Sequence, residues 1–255
     1  MLIDFRANRI VLIASLALAT LLITLFVAQG APLPQLFVLV IFFGLFIASN
    51  LRRMALKTIR QWEYRLMVQH HAAFYQEAYQ NLLRKGFKYN PRWQVTKYQR
   101  AILGSVLNGD FEQTTALRKE QNTGYQTLID ADPYFNYLNK VTLGIEALLV
   151  QSKTDIIEAM HQEQEALKRL DPKYQDQIKQ NPHSFSNLFQ TLKSWQTQSP
   201  PEPETLASQS TLMLTLMLAY RLRLSPDSKG AEAYQKHKLS LLNHYDVEFY
   251  TINNL

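Results

Sequence analysis

The sequence predicts an all-α protein: an N-terminal two-helix transmembrane hairpin followed by a cytoplasmic α-solenoid or helical-bundle domain of antiparallel helix pairs. Three observations carry this. Two apolar runs stand near the N-terminus with a short uncharged turn between them. Beyond them, apolar residues recur at three- and four-residue steps in segments that come in pairs. No run with the length and alternation of a β-strand occurs before the last dozen residues.

The first apolar run, uncharged from Ile10 to Ala28, covers most of a hydrocarbon core of ~30 Å at ~1.5 Å per residue. The second is solidly apolar only from Leu36 to Ala48, so it spans if Pro34, Gln35, Ser49 and Asn50 sit near the interfaces, as short spans do by snorkelling and local thinning. The spans are placed at about residues 10–28 and 34–51, within a hairpin over 1–51. The connecting "QGAPLPQ", Gln29 to Gln35, has glycine, two prolines and no charge, which suits a tight turn outside the bilayer. A cleaved signal peptide is the rival reading of the first run, and the second run following at once argues against it. Ser15-x-x-x-Ala19 and Gly44-x-x-x-Ala48 are candidate packing positions, because small residues let helices approach closely. Self-packing of the hairpin is their first expected use.

Basic residues set the orientation. Arg6 and Arg9 precede the first span, the turn has none, and Arg52, Arg53, Lys57, Arg60 and Arg65 follow the second. Both termini and the soluble domain are therefore expected in the cytoplasm of an integral membrane protein. Residues 51–100 carry eleven Lys/Arg against Glu63 and Glu77, a net of +9, whereas residues 101–255 carry fourteen against eighteen acids, a net of −4. A basic zone confined to the membrane-proximal segment points to anionic lipid headgroups. Its interleaved aromatics could also serve nucleic acid, but no nucleic-acid module is present and the aromatics read more simply as helix core. Nucleic acid is not an expected partner.

The soluble part divides into a basic amphipathic helix over 52–86, one helix or two, which Gly86 ends. Two helix pairs over 87–172 follow. The first runs from Pro91 to Leu107, turns at Asn108-Gly109-Asp110 and continues to Glu120. The second runs from Tyr134 to Val150, turns at "QSKTD" and continues from Asp155 to Leu170, where Asp171-Pro172 stops it. Residues 173–204 form a connector rich in Gln, Ser and Pro, with one helix at "SFSNLFQTLKSW" and a loop at "SPPEPE". A third pair, Thr205 to Leu224 and Ala231 to Asn243, occupies 205–255 with a C-terminal tail.

These pairs resemble degenerate tetratricopeptide repeats. "NGDF", Asn108 to Phe111, is similar to that family's inter-helix turn, and Leu143-Gly144 followed by "EALKRLDP", Glu165 to Pro172, is similar to a repeat's first-helix Leu-Gly and closing segment. The departures are a second pair one turn too long, Ile102 where the family keeps a small residue, and irregular spacing. The resemblance implies a solenoid that binds polypeptide segments between stacked pairs. A generic helical bundle stands equally open.

Chemistry is sparse. No cysteine occurs, so no disulfide framework or thiolate metal site is available. Glu158-x-x-His161 has the spacing of a di-iron ligand pair, but such sites need a second copy, and none is found. Phosphate loops, nucleophile elbows and H-E-x-x-H helices are absent, and the spans lack ionisable residues. The expectation is no enzymatic activity, no cofactor, no metal and no small-molecule substrate. What remains is a membrane-anchored, bacterial-type adaptor or scaffold for an unidentified protein partner. The alternative is a small subunit or assembly factor of a membrane complex recognised through its hairpin. Arg92, Lys97, Tyr98 and Arg100, on the first helix of the first pair, are the candidate partner contacts; the plainer reading leaves the two cations at 92 and 97 solvated and Tyr98 in the core.

Overall fold

The computed structural model describes the chain except residues 1–4, 31, 86–89, 151–152, 182–183, 196–200, 202–210, 225–227 and 245–255. Gly86, most of the "SPPEPE" segment, Thr205 and the C-terminal tail lie outside the described residues. Among those described, all regular structure is helical: α1 (Phe5–Ala28), α2 (Leu33–Met67), α3 (Ala72–Lys85), α4 (Pro91–Asn108), α5 (Phe111–Ala131), α6 (Pro133–Val150), α7 (Lys153–Lys168), α8 (Pro172–Gln180), α9 (Phe185–Ser194), α10 (Thr211–Leu224) and α11 (Ser228–His244). The fold class is all-α.

The chain forms two compact units, Met1–Trp62 and Glu63–Leu255. The first holds most of Leu33–Met67, which is long and apolar enough to cross a membrane, while its apolar stretch Ile13–Ala28 is shorter. Ala19 is buried and Ser15 half-buried on α1, but Gly44 and Ala48 are exposed, and a Cβ added to Gly44 would meet nothing within 4 Å. The second small-residue motif is therefore not used in packing within this unit. Its face is turned away from α1, whose Phe26 borders a groove with Val38, Leu39 and Phe42 of α2.

In the second unit, the segment read as a basic helix over 52–86 breaks at residues 68–71. His70 adopts φ 58, a left-handed conformation costly for a residue with a Cβ, and α3 starts two residues later. α3 packs most extensively on α4. The two come close enough that a Cβ on Gly104 would lie 2.8 Å from the Cα and N of Gln76. α4 ends as its sequence requires: Gly109 takes φ 76, its N–H donates to Val106 O at 3.1 Å, and the Asp110 N–H donates to Ser105 O at 2.9 Å, a Schellman-type close. Asp110 then caps α5 by accepting from the Gln113 N–H at 3.1 Å.

The pairs α4–α5 and α6–α7 are in place, but the connector holds a helix the sequence reading missed. α8 and α9 form a pair of their own, joined by Asn187 Nδ2, which donates to Lys179 O at 3.0 Å and Asn181 O at 2.7 Å. α9 seats Phe189 against Gly144 of α6. α10 is apolar on nearly every side and buried on nearly every side, from Leu212 to Arg221, the pattern of a core helix. Thr211 Oγ1 ties its start to Met67 O and Val68 O.

Candidate groove at three helix starts

The same four-residue pattern opens three helices. Asn90-Pro91-Arg92-Trp93 starts α4, Asp132-Pro133-Tyr134-Phe135 starts α6, and Asp171-Pro172-Lys173-Tyr174 starts α8. Each has a capping side chain, then proline at the first helical position, a variable residue and an aromatic ring. Physical chemistry favours each choice: proline's missing N–H costs nothing at N1, and a short polar side chain satisfies an orphan donor. Asn90 Oδ1 accepts from the Trp93 N–H at 3.2 Å, Asp132 Oδ1 from the Tyr134 N–H at 3.0 Å, and Asp171 Oδ1 from the Lys173 N–H at 2.9 Å.

Helix pairing brings the three starts to one place. They line an open groove of about 700 Å³ bounded by Asn90, Arg92, Trp93 and Thr96 of the first, Asp132 to Phe135 of the second, and Leu170, Asp171 and Tyr174 of the third. The rings of Tyr134 and Tyr174 lie beside each other on it, centroids 6.1 Å apart and planes tilted by 41°, and both are exposed. Beneath lies the buried cluster of Val95, Ile129 and Phe135, flanked by Tyr125 and Leu128. Arg92 spans the rim: its guanidinium pairs with Asp132 at 2.5 Å and lies 5.5 Å from the Phe135 ring centroid. Gln175 Nε2 donates to Leu170 O and Lys168 O, holding α8 against the end of α7.

A helix N-terminus ordinarily invites an anion, but here capping side chains take the key N–H groups and two of the caps are carboxylates. A phosphate would meet Asp132 and Asp171. Exposed rings over an apolar floor, with an arginine at the rim, suit an extended polypeptide segment that stacks on the tyrosines.

Of the four candidate contacts, only Arg92 reaches this groove. Lys97, expected at the surface, is instead fully buried and donates to Leu82 O at 3.3 Å, because α3 covers that face of α4. Arg100 pairs with Glu63 at 2.9 Å and lies 3.4 Å from the Tyr75 hydroxyl; Tyr75 first, and Glu63 after it, hold its guanidinium more firmly protonated than usual. Tyr98 donates to Glu120 Oε2 at 3.3 Å beside the Tyr125 ring, and burial, then Glu120, raises its phenol above the ordinary value. The groove residues Trp93, Tyr134 and Tyr174 were missed. Their signal was present as the cap-proline-x-aromatic recurrence, 42 and then 39 residues apart, which reading one pair at a time does not reveal. The basic residues Arg52, Arg53, Lys57 and Arg60 are exposed on α2, and exposed Arg65 lies over the Phe74 ring at 4.4 Å.

No family model, curated protein or solved structure matches the chain.

Proposed function

We propose that the protein is a membrane-anchored adaptor that displays a tetratricopeptide-like helical surface on the cytoplasmic side and captures a segment of a partner protein in the groove between helix pairs. The observation that carries this is the convergence of three like helix starts on one aromatic-lined groove, the arrangement expected when a repeated unit stacks and presents equivalent positions along one surface. The anchor reading is supported by α2, whose apolar residues from Leu33 to Phe46 are largely exposed; so large an exposed apolar band marks a lipid or protein interface. Arg52, Arg53, Lys57 and Arg60, one turn and more beyond it, are placed for anionic headgroups on the inner face. α1 and α2 together make the two-span hairpin.

The test is cross-linking and co-purification from native membranes, with full-length protein carrying Tyr134→Ala and Tyr174→Ala. The expected result is loss of the partner with the thermal transition unchanged, since both rings are exposed. Retention of the partner by this variant, and its loss when the first 51 residues are replaced by an unrelated two-span anchor, would instead make the hairpin the recognition element.

A further inference from the structure

The junction of α6, α7 and α9 contains a carboxyl group in a place hostile to charge. Glu163 of α7 is fully buried, beside the buried Tyr137 of α6 and Ser186 of α9. The two hydroxyls favour the charged form, but neither reaches well-aligned bonding geometry: both Glu163 oxygens and Ser186 Oγ lack a well-formed hydrogen bond among the described residues. Burial outweighs them and pushes the carboxyl up to about 7. The phenol of Tyr137 is raised too, by burial first and by Glu163 next.

Among the described side chains, the other charged groups on the three helices are engaged elsewhere or exposed. On α6, Lys140 donates to Gln162 at 3.0 Å and Glu146 pairs with Arg118. Tyr134 lines the groove. On α9 the one ionisable group is Lys193, which donates to Gln164 at 3.1 Å. On α7, Glu158 accepts from Gln162, Glu165 pairs with Lys168, and His161 is exposed. None of these ion pairs or hydrogen bonds supplies a cation to Glu163.

The position of Glu163 gives its proton mechanical consequence. α9 rests on α6 through Phe189, whose Cζ would lie 2.7 Å from a Cβ on Gly144. It is tied to α8 through Asn187, and α8 carries Tyr174, one wall of the groove. We propose that Glu163 is a proton-operated latch: protonated, it leaves α9 docked on α6 and α7 with the groove complete, and when its proton passes to solvent the buried carboxylate drives α9 off, taking α8 and Tyr174 with it. This regulation of the groove rests on the reading of the groove as the docking site.

The test is hydrogen exchange on the full-length protein in detergent micelles between pH 5.5 and 8.5, corrected for intrinsic exchange, for the wild type, Glu163→Gln and Glu163→Met. In the wild type, protection of α8 and α9 amides should fall roughly tenfold per pH unit up to about 7 and then level, a total of about 30-fold. Both neutral variants should be flat, and in all three proteins α4 and α5 should stay better protected than α8 and α9, because they open only when the whole unit unfolds. Equal pH dependence in the wild type and in whichever neutral variant folds overturns the latch. So does protection of α8 and α9 equal to that of α4 and α5 at every pH, which would make Glu163 a contributor to global stability only. If α8 and α9 release as stated but the Tyr134→Ala/Tyr174→Ala protein keeps its partner, the docking reading fails and the latch stands. If partner capture needs the tyrosines while α9 protection ignores Glu163, the latch fails and the docking reading stands.

Discussion

Gly104→Ala should destabilise the helical unit, whereas Gly124→Ala, the same change one helix on, should stabilise it. Both glycines sit inside helices, where alanine is favoured by about 1 kcal/mol. At Gly124 a new Cβ meets nothing within 4 Å, so that gain stands. At Gly104 the Cβ would lie 2.8 Å from two backbone atoms of Gln76 and 3.1 Å from its Cβ. No rotamer change relieves a backbone clash, so α3 and α4 must separate by several tenths of an ångström. Overpacking of this kind costs about 1–3 kcal/mol. The separation also strains the Gln76 bridge, in which Nε2 donates to Asp110 Oδ2 at 2.9 Å and Oε1 accepts from Asn108 Nδ2 at 3.0 Å, for about another 1 kcal/mol. Against the helix-propensity gain, the net is about 2 kcal/mol of destabilisation, or roughly 3 kcal/mol below Gly124→Ala. Urea unfolding of the full-length proteins in detergent, followed by far-UV circular dichroism, measures the difference; in melting temperature it is about 6–12 °C for a unit of this size. A Gly104→Ala protein as stable as the wild type would refute the close backbone crossing of α3 and α4.

The pH dependence of stability follows from two buried groups with opposite signs. The Glu163 carboxyl, at about 7 in the fold against 4.5 ordinarily, contributes stability that is full below pH 4.5 and lost as pH rises to 7, about 3 kcal/mol at about 1.4 kcal/mol per unit. His70 is lowered to about 3 from 6.5, by burial first and then by His237, so its contribution is full above pH 6.5 and lost as pH falls towards 3. The two slopes oppose between pH 4.5 and 6.5, so chemical denaturation of wild type and Glu163→Gln in parallel isolates the carboxylate: the variant's relative stability should rise by about 3 kcal/mol from pH 4 to 8. Asp171→Ala should remove the cap of α8 at a cost of about 1 kcal/mol, seen as faster proteolysis within Pro172–Gln180 and not as a large shift in the global transition. Lys97→Ala should cost about 2–3 kcal/mol by vacating a buried site, while Lys97→Met, which keeps the stem and gives up the hydrogen bond to Leu82 O, should cost less in the same urea titration.

Much of the helical framework was legible because its signals are local. Asn108-Gly109-Asp110 specifies both the end of α4 and the start of α5: glycine adopts the left-handed angle without steric cost and aspartate reaches the next turn's N–H. Asp171-Pro172 was legible as a stop, but not as the start of α8, since a boundary read from one side looks like the end of what precedes it. The basic segment was left open as one helix or two, and the place of its break, at His70, was not legible. A histidine at φ 58 carries no sequence mark, and it is the packing of α3 on α4 and the seating of α10 against the end of α2 that fix the chain there. The Gly44-x-x-x-Ala48 motif shows the reverse: a clear sequence pattern that the fold of its unit leaves exposed.

The sequence by itself determined the all-helical class, the placement of the apolar runs and the basic segment after them, and the turn chemistry, because each depends on neighbours within a few residues. Only the tertiary structure decided that Lys97 lies under α3, that Glu163 meets two hydroxyls and, among the described residues, no cation, and that Trp93, Tyr134 and Tyr174 line one groove. Those facts depend on which helix faces cover one another across 15 to 81 residues of chain. Burial and close packing settle that choice, since each helix buries its apolar stripe where a partner's shape accepts it.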